Sequence, residues 1–425
     1  MRVAVIGAGI VGVTAAHELA ADGHEVTVFE RRNAVATETS FANAGVLAPG
    51  YVTPWAAPGM PGKVLGHLLS RHAPVRLAGL GWLRELPWMW RWWRACRREA
   101  YATNRATMQR LAHASVQRLQ ALTHDLRLEY EQASGYLILL RTARDVELAA
   151  AGLKVLDELG VAYRTVDAGQ ARRIEPGLNP ATPLQGGIHL AQDGVGNCRQ
   201  FAHLMKAQAQ KLGADFRFEH EVGRIVPGSR PTLQWSAPAG VDPRQAEAAF
   251  DAVLVCAGPA APQLLRPLGI RLPMAPVHGY SITAPLRSFE GHPEAGPRAA
   301  LMDEKYKVAI SRLGQRVRVA GSAEIGGGLS HIDARAVRTL HKVLDDWFPG
   351  VAAQSRIQAW KGARPMTPDG PPVIGPSGVP GVWLNVGHGS SGWALSCGSA
   401  RLAADLVQGR VPCIDPQGLQ LSRLA

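Results

Sequence analysis

Residues 1–30, MRVAVIGAGIVGVTAAHELAADGHEVTVFE, contain every part of a dinucleotide-binding βαβ unit in order. Residues 3–6 predict a short apolar strand, the following residues predict a helix that stops at Gly23, and residues 26–29 predict a second strand that ends at Glu30. A glycine-rich turn alone would be weak evidence, because such turns are common after strands. The complete order is specific and predicts a Rossmann-like domain.

Three glycines in this unit, Gly7, Gly9 and Gly12, form the pattern GxGxxG. Gly7 permits the tight turn, Gly9 lets a pyrophosphate approach the backbone, and Gly12 lets the helix pack closely on the strand. The helix N-terminus offers free N–H groups and a positive dipole end to the phosphates. Glu30 follows at the distance where a carboxylate accepts hydrogen bonds from both ribose hydroxyls. The acid disfavours a 2′-phosphate, so these residues leave FAD and NAD open.

The composition is that of a globular protein with a large core. The chain has 425 residues, of which 46% are hydrophobic and 19% are charged, so we expect two domains or more. The net charge is +12, but no run of five consecutive Lys or Arg residues occurs. Nucleic-acid binding is therefore disfavoured, against contact with an anionic membrane surface or simple solubility.

Cysteine usage and hydropathy bear on the compartment. The five cysteines stand far apart without a CxxC pair, which favours a reducing compartment and predicts neither a disulfide scaffold nor a metal site. No signal peptide precedes the first strand, and the most hydrophobic windows hold charges too often for a membrane span. We expect a cytoplasmic protein, or one attached peripherally to the cytoplasmic face of the inner membrane.

Beyond residue 100, helix and strand patterns alternate and then give way to consecutive strands. The patterns predict helices over 111–126, 146–159, 197–213 and 334–348, and strands over 135–141, 250–258, 274–283, 306–311 and 316–320. The strand of 250–258 ends in glycine and is expected to be parallel to the first two. The strands between 274 and 320 lack intervening helices and predict an antiparallel sheet.

Two further stretches contain residues that could bind a ligand. Residues 382–386 predict a strand that leads through Gly387, Gly389 and Gly392 into a helix, a second glycine-rich turn that directs a positive helix end at a ligand. Residues 361–375, KGARPMTPDGPPVIG, are too rich in proline and glycine for a helix or the middle of a sheet. This stretch fixes a single cation, Arg364, either for an ion pair within the turn or for a ligand.

Together these segments resemble the FAD-dependent amine and amino-acid oxidoreductases of the D-amino-acid oxidase type, most closely the bacterial D-amino-acid dehydrogenases. The matching segments are GAGIVG (7–12), ETSFANAGVLAPGYVTPWAAPG (38–59), DEKYKVAISR (303–312), RPMTPDG (364–370) and GHGSSGW (387–393). The resemblance covers nearly the whole chain and implies an α/β (α+β) fold. A Rossmann-like FAD-binding domain would comprise 1–60, 190–272 and 345–425, and a substrate domain with a mostly antiparallel sheet would comprise 61–189 and 273–344.

The resemblance also implies where FAD binds. The turn of residues 40–45 would lie against the flavin, residues 256–258 would border the adenine and ribose, and the helix after residues 387–392 would stabilise negative charge on the flavin. Related enzymes with covalent FAD use a cysteine near their substrate-binding arginine, and none lies between Cys256 and Cys397, so non-covalent FAD is expected. The residues predicted to bind FAD are Val3, Ile6, Gly7, Ala8, Gly9, Ile10, Val11, Gly12, Glu30, Arg31, Ser40, Asn43, Ala44, Gly45, Val222, Ala257, Gly258, Gly387, His388, Gly389 and Gly392.

For the substrate, the resemblance implies that Arg364 binds an α-carboxylate over the flavin, since a guanidinium matches a carboxylate bidentately. Tyrosines usually assist this arginine. Tyr280 and Tyr306 are the catalytic candidates, with a role in the core as the alternative for each, and Tyr51 is expected at the pocket rim. His278 is also expected to bind the substrate, and it stands where the family more often has lysine, which bears on the substrate preference.

The implied reaction is oxidative deamination. A D-amino acid would bind as the neutral amine, its Cα hydride would pass to flavin N5, and the imino acid would hydrolyse to a 2-oxo acid and ammonia. Electrons would leave to a quinone or another carrier. His388 would lie near the flavin without acting as a base, because hydride transfer from a neutral amine needs none. Two alternatives stay open: a relative that oxidises proline, hydroxyproline, glycine or sarcosine, and a non-catalytic FAD-binding subunit of a hetero-oligomer.

Residues 81–100, GWLRELPWMWRWWRACRREA, hold five of the eleven tryptophans, interleaved with five arginines. Such a helix can lie in a membrane interface, with indoles at the headgroups and arginines on anionic phosphates. It can also pack on the substrate domain with tryptophans inside and arginines outside. The sequence leaves both arrangements open.

Overall fold

The computed structural model of the protein describes residues 1–67, 70, 72–158, 160–236, 246–287 and 295–425. Its α-helices are α1 (Ile10–Ala21), α2 (Met60–His67), α3 (Leu86–Ala95), α4 (Arg98–Asp125), α5 (Ala143–Glu158), α6 (Ala168–Ile174), α7 (Cys198–Lys211), α8 (Ala261–Leu265), α9 (Ala334–Trp347) and α10 (Gly392–Gln408). Its strands are β1 (Arg2–Ile6), β2 (Glu25–Glu30), β3 (Val46–Leu47), β4 (Val75–Leu77), β5 (Ala133–Leu140), β6 (Arg164–Asp167), β7 (Gly186–Val195), β8 (Asp215–Phe218), β9 (Glu221–Val226), β10 (Thr232–Ser236), β11 (Glu247–Ala249), β12 (Ala252–Val255), β13 (Ala275–Pro285), β14 (Ala300–Asp303), β15 (Val308–Leu313), β16 (Arg316–Ile325), β17 (Gln358–Met366), β18 (Val373–Pro376) and β19 (Val382–Val386).

The first sheet contains the N-terminal βαβ unit. Among the described residues it has six strands in the order β18-β19-β12-β1-β2-β8, and all neighbours are parallel except β18 and β19. Helices α1, α4, α7 and α10 pack on one face around a shared apolar core. Because β1, β12 and β19 are parallel, the turns after all three strands meet at one edge, which is where open α/β sheets bind ligands.

The other face of this sheet is covered by a small antiparallel sheet of β9, β10 and β11. The Phe29 ring of β2 lies 4.8 Å from the Trp235 ring of β10 and 5.9 Å from the Phe250 ring, measured between centroids. Burial on both faces explains why β1 and β12 are continuous apolar runs rather than alternating ones.

A second, mostly antiparallel sheet carries Arg364. Its main path runs β17-β13-β16-β15-β14-β5-β7-β3, with β4 beside β16 and β6 beside β7. Helix α9 covers one face, and the segment that follows β2 crosses the other. β17 is an edge strand, which accommodates Pro365 because proline cannot donate a ladder hydrogen bond. The two larger sheets and their helices confirm the predicted fold class, while the exact domain boundaries stay a prediction.

Most predicted elements are confirmed, with two differences. α4 begins at Arg98, well before the predicted residue 111. Tyr306 lies in the turn between β14 and β15 rather than in a strand, and the positive φ of 52° at Lys307 shows why a strand cannot begin there. The predicted helix over 146–159 extends to a residue outside those described.

Cysteine state and helix lengths bear on the expected compartment. The five cysteines are free thiols, and only Cys413 is exposed. Among the described residues, no helix combines the length and apolar character needed to cross a membrane. The same residues contain no group of three His, Cys, Asp or Glu side chains arranged to hold a metal ion.

Candidate active site

The turns after β1, β12 and β19 border one cavity. Gly7 has a φ of +101°, and a Cβ there would lie 2.7 Å from the carbonyl oxygen of Cys256. A Cβ on Gly12 would lie only 1.9 Å from the Gly7 carbonyl oxygen, so α1 can approach the turn this closely only with glycine. At Gly9 a Cβ would meet only Ser40 Oγ, at 3.6 Å, which leaves the backbone open towards the cavity.

Most of the predicted FAD-binding residues line this cavity. They are Ile6, Gly7, Gly9, Ile10, Val11, Glu30, Arg31, Ser40, Val222, Ala257, Gly258, Gly387, His388, Gly389 and Gly392. The predicted residues outside its lining are Val3, Ala8, Gly12, Asn43, Ala44 and Gly45. Val3 and Gly12 instead shape the strand and helix behind the cavity, since both are buried against neighbouring backbone.

Glu30 ends β2 at the cavity wall. Its Oε2 accepts a hydrogen bond from Ala8 N at 2.7 Å, and its Oε1 accepts one from Arg32 N at 2.8 Å. Burial raises the pKa of the Glu30 carboxyl, and the two amide hydrogen bonds oppose that rise. Each oxygen keeps a second acceptor position for a ligand hydroxyl. Glu38 pairs with both Arg31 and Arg32 at 2.7 Å, so its single negative charge is shared between the two cations.

Replacing Glu30 with glutamine is expected to raise the dissociation constant for FAD roughly tenfold, because hydrogen bonds to a charged group contribute about 1.5–3 kcal/mol. Titration of the apoprotein with FAD, followed by flavin fluorescence, measures this constant. Glu25→Gln is the matched control, since Glu25 lies on the same strand but is exposed and pairs with Arg2. Equal affinities for Glu30→Gln and the unchanged protein would show that Glu30 does not bind the ribose.

The other part of the cavity is formed by the turn after β19 and the start of α10. His388 is only 4% exposed, and burial lowers its pKa to about 3, so the imidazole is neutral. In the described part of the chain, His388 Nε2 and both polar atoms of the buried Asn385 side chain have no hydrogen-bond partner. Buried polar atoms without partners are costly and indicate a polar ligand. A flavin ring, which carries donors and acceptors along one edge, fits them.

Residues 42–44 connect the cavity to the second sheet. Their carbonyl oxygens accept, in chain order, from Ser281 Oγ at 2.8 Å, Arg318 Nη1 at 3.0 Å and Ser311 Oγ at 2.7 Å. Strand pairing places all three donors on the same face of the sheet as Arg364. The turn predicted to lie against the flavin is therefore held over the sheet face that presents Arg364.

Arg364 lies on β17 beside the cavity wall, to which the next residue, Pro365, belongs. Its guanidinium crosses over Gly279 of β13, where a Cβ would lie 2.2 Å from Nη2 and 2.4 Å from Cζ. Nη1 donates to the carbonyl oxygen of Ser322 at 3.0 Å, at a bulge in β16. Burial lowers the pKa of the Arg364 guanidinium to about 10, so it stays charged at neutral pH. No carboxylate of the described residues lies within ion-pair distance of it.

Tyr280 and His278 lie on the opposite face of this sheet. β13 pairs regularly with β17, which aligns Tyr280 with Lys361 and His278 with a residue adjacent to Arg364, and side chains alternate between faces. The buried Tyr280 hydroxyl donates to Glu324, which also accepts from Lys361 Nζ at 2.7 Å. This placement contradicts the prediction that Tyr280 and His278 bind the substrate beside Arg364.

Tyr306 is also directed away from Arg364. Its ring lies 5.1 Å from the guanidinium of Arg141 and 5.6 Å from Lys342 Nζ of α9, on the helix-covered face of the sheet. This contradicts its prediction as a catalytic tyrosine. Tyr51 donates its hydroxyl to Glu304 Oε2 at 3.0 Å, and its place at a pocket rim stays a prediction.

Several cavity residues were missed by the sequence prediction. They are Phe29, Ala36, Thr37, Glu38, Thr39, His220, Glu221, Gly223, Pro259, Ala260, Gln263, Leu264, Pro365, Asn385 and Val386. A signal existed for Asn385, the single polar residue in the apolar strand VWLNV. Burial raises the pKa of the Cys256 thiol, so it is protonated and poorly nucleophilic, which agrees with the expectation of non-covalent FAD.

The glycine-rich turns and Glu30 around the cavity define a dinucleotide-binding protein, and the adjoining sheet presents an arginine beside that cavity. Residues 2–406 match the DAO family, described as FAD dependent oxidoreductase, and the chain belongs to that family. FAD is therefore its cofactor. The family resemblance given by the sequence motifs is confirmed.

Relatives match over the full length of the chain. A D-amino acid dehydrogenase of Cereibacter sphaeroides is 42% identical over 426 residues, covering 100% of this chain and 95% of the relative. A D-amino acid dehydrogenase of Allorhizobium ampelinum is also 42% identical, covering 100% of this chain and 99% of the relative.

Solved structures share the fold. Glycine oxidase from Geobacillus kaustophilus superposes with a TM-score of 0.74 at 22% identity, covering 99% of both chains. L-proline dehydrogenase from P. horikoshii superposes with a TM-score of 0.72 at 17% identity, covering 100% of this chain and 97% of the other. At these identities the likeness concerns the fold alone.

Proposed function

We propose that the protein is an FAD-dependent dehydrogenase that oxidises D-amino acids to 2-oxo acids and ammonia. The observation that carries this proposal is Arg364, a buried guanidinium beside the cavity with no carboxylate partner among the described residues. A desolvated cation without a counterion is costly, and an α-carboxylate of the substrate would supply that counterion. The relatives named D-amino acid dehydrogenase support the substrate class.

The residues of this chain bind and orient the substrate. Bound FAD would supply the chemistry of a hydride acceptor. Arg364 would hold the α-carboxylate by two parallel hydrogen bonds, with its own position fixed by the Ser322 carbonyl and by the flat surface of Gly279. A fixed carboxylate restricts the direction in which Cα–H points, so positioning supplies much of the rate. No side chain is assigned as a base, because the neutral amine loses a hydride and the resulting imine hydrolyses in water.

We further propose that electrons leave to a quinone or another carrier rather than to oxygen, with peripheral contact to the cytoplasmic face of a membrane. The word dehydrogenase in the relatives' names supports an acceptor other than oxygen. Exposed tryptophan and arginine side chains on α3 support contact with a membrane surface.

Anaerobic mixing of the FAD-loaded protein with D-alanine, L-alanine, glycine and proline tests the proposal. We expect D-alanine to bleach the flavin absorbance at least tenfold faster than L-alanine, because inversion at Cα directs the hydrogen away from the acceptor while the carboxylate stays on Arg364. Faster bleaching by proline or glycine would show instead that the substrates are secondary or small amines. If no amine bleaches the flavin, the protein is a non-catalytic FAD-binding subunit instead.

A further inference from the structure

Exposed apolar side chains cluster around helix α3. The exposed fractions are 76% for Leu80, 44% for Leu83, 45% for Leu86, 59% for Trp90 and 49% for Trp93. From Leu83 onwards these residues follow the spacing i, i+3, i+7 and i+10, which places them on one side of the helix and the 3₁₀ turn before it. Soluble proteins scatter such residues singly, so a continuous row indicates a binding surface.

The same helix is anchored to the protein by its other side. Trp88 and Trp92 are buried, and their rings lie 6.2 Å and 5.5 Å from the ring of Trp55. The outward tryptophans, Trp90 and Trp93, stack on each other at 5.0 Å between centroids. Packing against the protein therefore explains the inner tryptophans and leaves the outer ones without a role. Of the two arrangements considered from the sequence, packing on the protein accounts for Trp88 and Trp92 but not for Trp90 and Trp93.

Arginines flank the exposed apolar row. Arg84, Arg94 and Arg97 are exposed and have no ion-pair partner among the described residues, while Arg91 donates to the carbonyl oxygen of Leu424 at 2.7 Å. At about 100° per residue, Arg94 lies directly beside the row. The nearby Glu85 is half-buried, and burial raises its pKa. The surface thus combines indoles, leucines and unpaired guanidinium groups, as interfacial helices do.

We propose that this surface, formed by Leu80, Leu83, Leu86, Trp90, Trp93, Arg84 and Arg94 and called the tryptophan face, docks onto an anionic lipid bilayer. Charge complementarity favours lipid over a second copy of the chain, because a symmetric contact would bring the unpaired arginines of two copies together. Anionic headgroups supply the missing counterions, and the interface accepts the indoles.

The tryptophan face lies close to the cavity, which suggests a functional reason for docking. Trp88 Nε1 donates to the Met366 carbonyl oxygen at 2.8 Å, and Met366 forms a β-bridge with His388 in the cavity wall. The lipid surface would lie only a few side chains from the flavin end of the cavity. The inference rests on the proposed function, since a lipid-soluble quinone is then delivered next to the electron donor.

Flotation of the FAD-loaded protein with vesicles tests this inference. Vesicles of phosphatidylcholine mixed with phosphatidylglycerol should carry the protein upward, and vesicles of phosphatidylcholine alone should carry less. Trp90→Ala combined with Trp93→Ala, and separately Arg94→Glu, are each expected to lower the bound fraction roughly tenfold, because binding scales with apolar area and with basic charge near the surface. Leu148→Ala with Val411→Ala, and Arg144→Glu, are matched controls on other exposed sites.

Turnover with a soluble dye as acceptor, measured without lipid, separates the two proposals. We expect all these variants to retain it, because none of the altered residues lines the cavity. Equal vesicle binding by the tryptophan variant and the unchanged protein, or no binding by either, overturns the lipid inference while dye turnover persists. A dimer that dissociates in the tryptophan variant, without vesicle binding, would make this face a protein interface and also overturn it. Absence of dye turnover in the unchanged protein contradicts the proposed function instead.

Discussion

Replacing Arg364 with alanine is expected to lower kcat/KM for D-alanine roughly 1,000-fold while the protein keeps its FAD. Truncating one partner of a desolvated charge pair costs about 2–5 kcal/mol, and each 1.36 kcal/mol is about a tenfold change in kcat/KM. FAD should stay bound because Arg364 does not line the cavity. Flavin reduction under anaerobic conditions and the flavin content of the purified variant measure the two quantities separately.

Two further variants make the result specific. Arg364→Lys keeps the charge but loses the bidentate geometry, so its activity should fall between those of the alanine variant and the unchanged protein. Arg356→Ala removes an exposed arginine just before β17 and should change neither quantity. Reduction of Arg364→Ala by D-alanine at the unchanged rate would contradict the role of Arg364. Loss of FAD from both Arg364 variants would show a structural role instead.

The N-terminal unit could be predicted in detail because its chemistry is local in sequence. The strand, the turn at Gly7, the helix packed over Gly12 and the acid at Glu30 all lie within residues 1–30, and the structure places each as the pattern predicts. The same holds for the strand-to-helix turn at 387–392. All residues that interact within such a motif are close in sequence, so a short stretch of sequence is enough to predict its geometry.

The placement of Tyr280 away from the site could not be predicted, because the face to which a strand residue points depends on distant pairing. Tyr280 was placed on the correct strand, but its face follows from the register of β13 with β17, about eighty residues later, and a shift of one residue would reverse it. The prediction for Tyr306 was wrong for a different reason. A turn with positive φ at Lys307 interrupts a sequence whose residues favour a strand. The bulge in β16 that directs the Ser322 carbonyl at Arg364 has no clear sequence signal either.

The position of the Arg364 guanidinium depends on Gly279, which is not among the residues predicted from the sequence to form the site. The backbone of Gly279 lies outside the left-handed region, so alanine would fit it without backbone strain. The guanidinium, however, occupies the space that a Cβ would take, at 2.2 Å from Nη2, 2.4 Å from Cζ and 3.0 Å from Nε. An added methyl group must therefore displace the cation rather than the strand.

Gly279→Ala is accordingly expected to lower kcat/KM for D-alanine roughly 100-fold with FAD content unchanged, because a misplacement of about 1 Å at a positioning group costs about that much. Gly152→Ala is the matched control, since a Cβ there meets nothing within 4 Å. A double-mutant cycle identifies the cause. In the Arg364→Ala background the guanidinium is gone, so Gly279→Ala should have almost no further effect. If Gly279→Ala still lowers kcat/KM 100-fold in that background, the methyl group acts on the strand or the flavin. Gly279 would then not serve to position the Arg364 guanidinium.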